Sequence, residues 1–198
     1  MLSRRMHSGR PFMASTGAGW LTILAPAPNA RVPLSPKKVN KVAGAYLRVI
    51  TMTKALVLYH SQQHGNTGQM ADAVAAGLRS EGCEVTLHNA NDARYPITEF
   101  PAYDCVAFGT PDYFSYLAGT LKTFMDDWYL HRNEPGYQGK PYAVFYSHGG
   151  GGRVKEELSL FSRVGTQVGD AVGSRGTPTQ TVLDRCRALG HALAKARP

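Results

Sequence analysis

The chain has 198 residues, of which 43% are hydrophobic and 18% are charged, and these values are typical of one globular domain with its own core. The formal net charge of +8 is unevenly distributed. Residues 1–53 contain eight of the 22 Lys and Arg residues and no Asp or Glu, which leaves fourteen residues of each sign in residues 54–198. A basic surface that reads nucleic acid is therefore not indicated.

The first 52 residues differ in composition from the rest of the chain. They are basic, they contain closely spaced prolines from Pro26 to Pro36, and they show no sustained helical or strand period. We interpret residues 1–52 as a disordered leader and residues 53–198 as the folded domain. A processed transit peptide is the alternative, because scattered arginines without acidic residues are typical of one. No run reaches the roughly 18 apolar residues of a membrane helix, so no membrane partner is expected.

From residue 54 onward, strand patterns alternate with helix patterns. The first strand is Lys54–Tyr59, and Met70, Val74 and Leu78 then recur at helical spacing. Further strands are predicted in CEVTLHN, YDCVAFGT, PYAVFYSH and, weakly, TQVGDAVG, and further helices around Leu121–Trp128, around Val154–Phe161 and after Thr177. Thr177 is predicted as the N-cap of the last helix, with Pro178 and Gln180 completing a capping box. This alternation predicts a parallel sheet covered by helices on both faces.

The three cysteines, Cys83, Cys105 and Cys186, show no C-x-x-C spacing. They predict neither a disulfide framework nor a zinc site, and no other metal site is expected. Cys105 lies in an apolar strand pattern and Cys186 on a helix face, so both are expected in the core. Free cysteines in a core are typical of a reducing compartment, so a cytoplasmic location is expected.

In open parallel sheets, ligands bind beyond the carboxyl ends of the strands. The loop after the first strand, SQQHGNT, contains no Lys or Arg. Gly65 permits a tight turn, Asn66 or Thr67 is predicted to cap the next helix, and Ser61 offers another neutral donor. Such groups and a helix start can together hold a phosphate without a basic side chain. The loop lacks both the P-loop lysine and the G-x-G-x-x-G fingerprint, and an ordinary strand-to-helix turn remains the alternative.

Two further loops leave the third and fourth strands. The second loop, TPDYFSYLAG, places Tyr113, Phe114 and Tyr116 at a strand end, where aromatic side chains suit a flat ring or cover the sheet edge. The third loop, SHGGGGR, contains the glycines Gly149–Gly152, which let a backbone approach a ligand closely or simply make the loop flexible.

Taken together, the three loops resemble those of the flavodoxin-like FMN-binding proteins. S-x-x-x-G-N-T resembles their phosphate loop, and S-x-G-G-G-G resembles their third loop. G-T-P-x-Y-F followed by AGTLKTFMDD resembles the NAD(P)H:quinone reductases named for binding the tryptophan repressor. The resemblance covers residues 53 to about 196. It implies a flavodoxin-like, doubly wound, five-stranded parallel sheet with strand order 2-1-3-4-5 and helices on both faces.

The resemblance also implies a set of cofactor-binding residues. The FMN phosphate would be held by Ser61, Gln62, His64, Gly65, Asn66 and Thr67. The isoalloxazine would be bordered by Pro111, Asp112, Tyr113, Phe114 and Ser115, and its other edge by Ser147, His148, Gly149 and Gly150. No catalytic side chain is required, because the flavin carries the redox chemistry. His148 is the titratable candidate beside the ring.

The function implied is an FMN-dependent oxidoreductase that passes electrons from NAD(P)H to a quinone or another small-molecule or protein acceptor. A non-enzymatic electron carrier is the alternative, although the neutral core and a third loop without an aromatic residue favour the reductase branch. The long segment that builds the quinone-reductase tetramer is absent, and Trp128 and Tyr129 are candidate contacts of a homodimer. A hydrolase would need a G-x-S-x-G elbow beside its H-G-G-G motif, and the sequence contains none. A receiver domain would need acidic residues after the first strand, where Tyr59, His60 and Ser61 stand instead.

Overall fold

The computed structural model describes residues 52–196, so the predicted leader falls almost entirely outside the described residues. The strands are β1 (Lys54–Tyr59), β2 (Glu84–Asn89), β3 (Cys105–Pro111), β4 (Lys140–His148), β5 (Gly165–Gln167) and β6 (Val172–Arg175). The helices are α1 (Asn66–Ser80), α2 (Gly119–His131) and α3 (Gln180–Lys195), with 3-10 helices at Ile97–Ala102 and Arg153–Arg163. Every strand pair is parallel, and the order β2-β1-β3-β4-β5 confirms the predicted topology.

The fifth strand position is divided between two short segments. β5 pairs with the start of β4 and β6 pairs with its end, where the sequence predicted one weak strand. Gly169, between them, adopts a left-handed backbone with φ of 67°, which an extended strand cannot continue through. The second segment therefore reaches the carboxyl end of β4, next to the loops predicted to bind the ligand.

One predicted detail of the helices is wrong, the start of the last helix. The N-cap of α3 is Thr179, whose Oγ1 accepts a hydrogen bond from Val182 N at 3.4 Å, and not Thr177. Pro178 is buried and Thr179 is still extended, so the helix begins two residues later than the capping box predicted. The helix predicted around Val154–Phe161 is present as a 3-10 helix, and the spacing of its buried residues fits either helix type.

Helices cover both faces of the sheet, as predicted. Alternate residues of β1 enter two different cores: Leu56 and Leu58 pack with α2, and Ala55 and Val57 pack with α1 and α3. The first core contains a stacked pair, Phe108, on β3, and Phe161, with ring centroids 4.2 Å apart. No helix among residues 52–196 has both the length and the apolar character that a bilayer crossing requires.

Two glycines set the close approach of α1 to α3. A Cβ atom added at Gly77 would lie 2.1 Å from the carbonyl oxygen of Arg187, and one added at Gly190 would lie 2.2 Å from that of Val74. Both obstacles are backbone atoms, which cannot rotate away. The helix pair can therefore pack at this distance only with glycine at both positions.

We expect Gly77→Ala to destabilise the protein by about 1–3 kcal/mol, because the overpacked helices must move apart. Gly119→Ala is the matched control, since a Cβ there meets nothing within 4 Å. Urea unfolding followed by circular dichroism measures both. Equal stability of the two variants would contradict the close helix contact.

Candidate functional site

The loops that follow β1, β3 and β4 meet at one edge of the sheet and surround a cavity of about 420 Å³. The described residues that line it are Ser61, Gln62, Gln63, His64, Gly65, Asn66, Thr67, Pro111, Asp112, Tyr113, Ser147, His148, Gly149 and Gly176. Twelve of these are among the predicted cofactor residues. The predicted residues outside the lining are Phe114, Ser115 and Gly150, and the two that were not predicted are Gln63 and Gly176.

The first loop turns into α1 through a left-handed glycine. Gly65 is the N-cap residue, with φ of 69°, and as a glycine it has no side chain to cap the helix, so the predicted capping by Asn66 or Thr67 is wrong. Ser61 Oγ accepts a hydrogen bond from Gly68 N at 3.1 Å. The first-turn N–H groups of Asn66 and Thr67 have no intrahelical acceptor, as in any α-helix. Both residues line the cavity, where an anion could accept these hydrogen bonds.

A buried pair of hydroxyl groups joins the first loop to the third. Thr67 Oγ1 lies 2.9 Å from Ser147 Oγ, and the two residues are only 2% and 6% exposed. Each hydroxyl carries one proton, and one of the two protons forms this bond. The other proton is therefore available to a ligand in the cavity that both residues line.

Asp112 joins the second loop to the third. Its N–H donates to Ser147 O at 2.7 Å. Its Oδ1 accepts from Ser115 N at 2.8 Å and its Oδ2 accepts from Val154 N at 3.2 Å. The carboxylate thus stabilises the turn of its own loop and the start of the second 3-10 helix. Asp112 was a predicted site residue, but this bridging role was not predicted.

The second loop is a tight turn with a strained backbone. Tyr113 and Tyr116 exchange two backbone hydrogen bonds of 3.0 Å, and the two residues between them, Phe114 and Ser115, have φ of 56° and 63°. Left-handed conformations are costly for residues other than glycine. The turn presents the Phe114 side chain fully to solvent, outside the cavity lining.

His60 joins the first loop to the second. It was not among the predicted site residues. Its N–H donates to Gly109 O at 2.9 Å, its Nδ1 lies 3.0 Å from Thr120 Oγ1, and its ring meets Tyr113 edge-on at 5.6 Å. The residue is 5% exposed, and burial lowers the pKa of its imidazole. Among the described residues Nε2 has no hydrogen-bond partner. A histidine directly after an apolar strand was the signal available in the sequence.

The His148 imidazole supports the third loop from within. Its Nδ1–H donates to Gly150 O at 2.6 Å, and its ring stacks on Tyr146 with centroids 6.0 Å apart. A Cβ added at Gly152 would lie 3.0 Å from Nε2, so the loop backbone packs against the ring. The predicted place of His148 beside a flavin ring stays a prediction, and its side chain is already engaged with its own loop.

We expect Thr67→Val to cost about 1–3 kcal/mol, because it leaves the buried Ser147 hydroxyl without its partner. Thr67→Ser is the control, since it keeps the hydroxyl and loses only a methyl group. Adding Ser147→Ala to Thr67→Val should recover part of the loss, because both polar partners are then removed. Urea unfolding of the flavin-free chain measures all four proteins. A Val variant as stable as the wild type would disprove the buried bond.

We expect His60 to make the protein less stable in mild acid. Its pKa in the folded state is below the ordinary value of 6.5, so the unfolded chain binds the proton more readily. The contribution of the neutral imidazole is complete above pH 6.5 and is lost as the pH falls toward the folded-state pKa. His60→Gln should show a smaller loss of stability between pH 7 and pH 5 than the wild type. His64→Gln, on the exposed first loop, is the control, and parallel curves for wild type and His60→Gln would contradict the assignment.

Comparison with known proteins supports one family. The family model described as Flavodoxin matches residues 57–189. A solved archaeal flavodoxin is 27% identical, with a TM-score of 0.63 over 72% of this chain and 97% of that one. A WrbA-like flavodoxin from Agrobacterium tumefaciens is 24% identical, with a TM-score of 0.61 over 72% and 96% of the two chains.

A flavodiiron core from Synechocystis is 20% identical, with a TM-score of 0.62. It matches 81% of this chain, which spans only 40% of that protein. At these identities the bacterial structures show the fold alone. The family match, in contrast, covers well over half of the sequence. The chain belongs to the flavodoxin family, and membership implies a flavin cofactor, FMN.

Proposed function

We propose that this protein is an FMN-dependent oxidoreductase that takes a hydride from NAD(P)H and passes electrons to a quinone or another acceptor. The proposal rests on the third-loop side of the cavity, where glycines present backbone and no side chains. Gly149 lines the cavity, and a Cβ added at Gly149 or at Gly150 would meet nothing within 4 Å. No side chain of these residues occupies the space in which a second flat ring would approach the cofactor.

The chemistry of the lining residues fits FMN. The first loop supplies neutral donors and the positive end of the α1 dipole, which suit a phosphate. Tyr113 and the glycine backbone of the third loop supply flat surfaces on the strand-end side. When bound, the flavin supplies the hydride and electron chemistry.

The chain's own residues bind and orient the cofactor. The hydroxyl pair Thr67–Ser147 keeps a donor beside the first loop, and Asp112 fixes the second loop against the third. Hydride transfer needs the reacting atoms about 3–3.5 Å apart, so the donor ring must contact the flavin face. The bare glycine backbone permits that contact.

A non-enzymatic electron carrier is the second candidate. The archaeal relative, which this chain matches over 97% of its length, is called a flavodoxin. The fully exposed Phe114 at the second-loop tip is a surface on which a protein partner could dock. A carrier exchanges electrons with such a partner and needs no ring-to-ring contact with a nicotinamide.

A homodimer stays a proposal. Of its two candidate contact residues, Trp128 and Tyr129, only one is exposed. Trp128 is buried and donates from Nε1 to Tyr137 O at 2.8 Å, whereas Tyr129 and Leu130 are exposed. A dimer contact on α2 would therefore use Tyr129. The expected absence of nucleic-acid and membrane partners and the cytoplasmic location stay predictions.

We expect NADPH or NADH to bleach the flavin of the FMN-loaded protein in anaerobic stopped-flow absorbance, and benzoquinone to restore the colour. Gly149→Leu should cover the bare face and slow hydride transfer by about 100-fold, because it displaces the donor ring. FMN content and reduction by dithionite, measured on the same samples, separate a slower hydride transfer from a loss of the cofactor. Gly149→Ala is the matched control, with a small effect.

The carrier alternative gives a different result. In that case the flavin stays oxidised under excess NADPH and NADH, yet it is reduced by a flavodoxin reductase protein. Gly149→Leu then changes neither rate, and the proposed oxidoreductase function is wrong.

A further inference from the structure

Two arginines flank the third-loop side of the cavity. Arg153 follows the glycines directly and begins the second 3-10 helix, and its Cγ lies 3.6 Å from a Cβ position at Gly151. Arg175 ends β6 in register with His148, and the next residue, Gly176, lines the cavity. The division of the fifth strand brings this second arginine to the site.

Both guanidinium groups lack a strong partner. Arg153 Nε lies 3.9 Å from Glu156 Oε1, and the two side chains are 69% and 67% exposed, so the pair contributes little. Arg175 is exposed, and its guanidinium group forms no ion pair or hydrogen bond within residues 52–196. The one carboxylate in the cavity lining, Asp112, already accepts two N–H groups.

Carboxylates lie near the end of β1. Burial and, to a lesser extent, the charges of Asp72 and Asp92 raise the pKa of the Tyr59 phenol. The two arginines lie instead beside the end of β4. An anionic molecule that enters over the glycine loop therefore passes two cationic side chains.

We propose that Arg153 and Arg175 form a subsite for the phosphate groups of the nicotinamide dinucleotide, and that the protein consequently prefers NADPH to NADH. This inference rests on the proposed function. The neutral donors of the first loop are committed to the FMN phosphate, so the phosphates of a second nucleotide need other groups. A nicotinamide that reaches the flavin over Gly149 extends the rest of the dinucleotide across the third loop, toward the two arginines.

The 2′-phosphate distinguishes the two donors. It adds a charge of about −1.5 to −2 at neutral pH, and the planar guanidinium fork of arginine matches phosphate oxygens. NADH offers the pyrophosphate alone. Loss of one arginine should therefore weaken the binding of NADPH more than the binding of NADH.

Calorimetric titration of the FMN-loaded full chain with NADP⁺ and NAD⁺ tests the subsite without turnover. We expect NADP⁺ to bind the wild type about tenfold more tightly than NAD⁺, with an affinity that falls as salt is added. Arg153→Gln and Arg175→Gln should each weaken NADP⁺ binding by about five- to tenfold and change NAD⁺ binding less. Arg163→Gln is the matched control, because this exposed arginine lies at the far end of the same 3-10 helix. FMN content should stay equal in all four proteins.

The possible outcomes separate the subsite from the function. Equal affinities for the two nucleotides, no binding of either, or an equal loss in Arg163→Gln would overturn the subsite. If the flavin is reduced equally by NADPH and NADH in every variant, the oxidoreductase function stands and the subsite is wrong. If NADP⁺ binds with the expected preference but NADPH leaves the flavin oxidised, the subsite stands and the oxidoreductase function is wrong.

Discussion

Three loops leave neighbouring parallel strands, and the site depends on the contacts that join each pair of loops close to the sheet. The Thr67–Ser147 hydroxyl pair joins the first loop to the third. Asp112 joins the second to the third, and His60 joins the first to the second through Tyr113. These links are buried or engage the backbone, where a hydrogen bond is costly to lose. The three loops therefore form one coupled binding site. A substitution in one loop that breaks such a contact should also disturb the loop at the other end of the contact.

Two kinds of anion-binding group occur at this site, neutral donors and cationic side chains, and they lie in different places. Neutral donors and a helix start surround the cavity at the first loop, and no Lys or Arg is among its lining residues. The cationic residues Arg153 and Arg175 lie outside this lining. Fixed N–H groups suit a phosphate that stays in place, because they lose little freedom on binding. Flexible, hydrated guanidinium groups suit a ligand that must arrive quickly and leave again.

The sheet and the site were predictable to different degrees from the sequence. Apolar runs that alternate with helical stripes predicted a parallel sheet covered on both faces, and the resemblance of the three strand-end loops to a known family implied the strand order and most of the cavity lining. The start of α3 was not predictable, because Thr177 and Thr179 both precede helical residues and the burial of Pro178 decides between them. The role of His60 was missed for a similar reason. Its importance comes from Thr120, sixty residues away, and no local pattern reports such a contact.

The third loop connects stability to the proposed chemistry. A wall open to a second ring must have no bulky side chain, yet four consecutive glycines lose much backbone entropy when they become ordered. His148 offsets part of that cost, because its imidazole holds the Gly150 carbonyl and packs against Gly152. Tyr146 supports the ring from below. One histidine thus holds a backbone that carries no side chains of its own, and this arrangement explains how a glycine-rich segment can both shape the cavity and leave its face accessible.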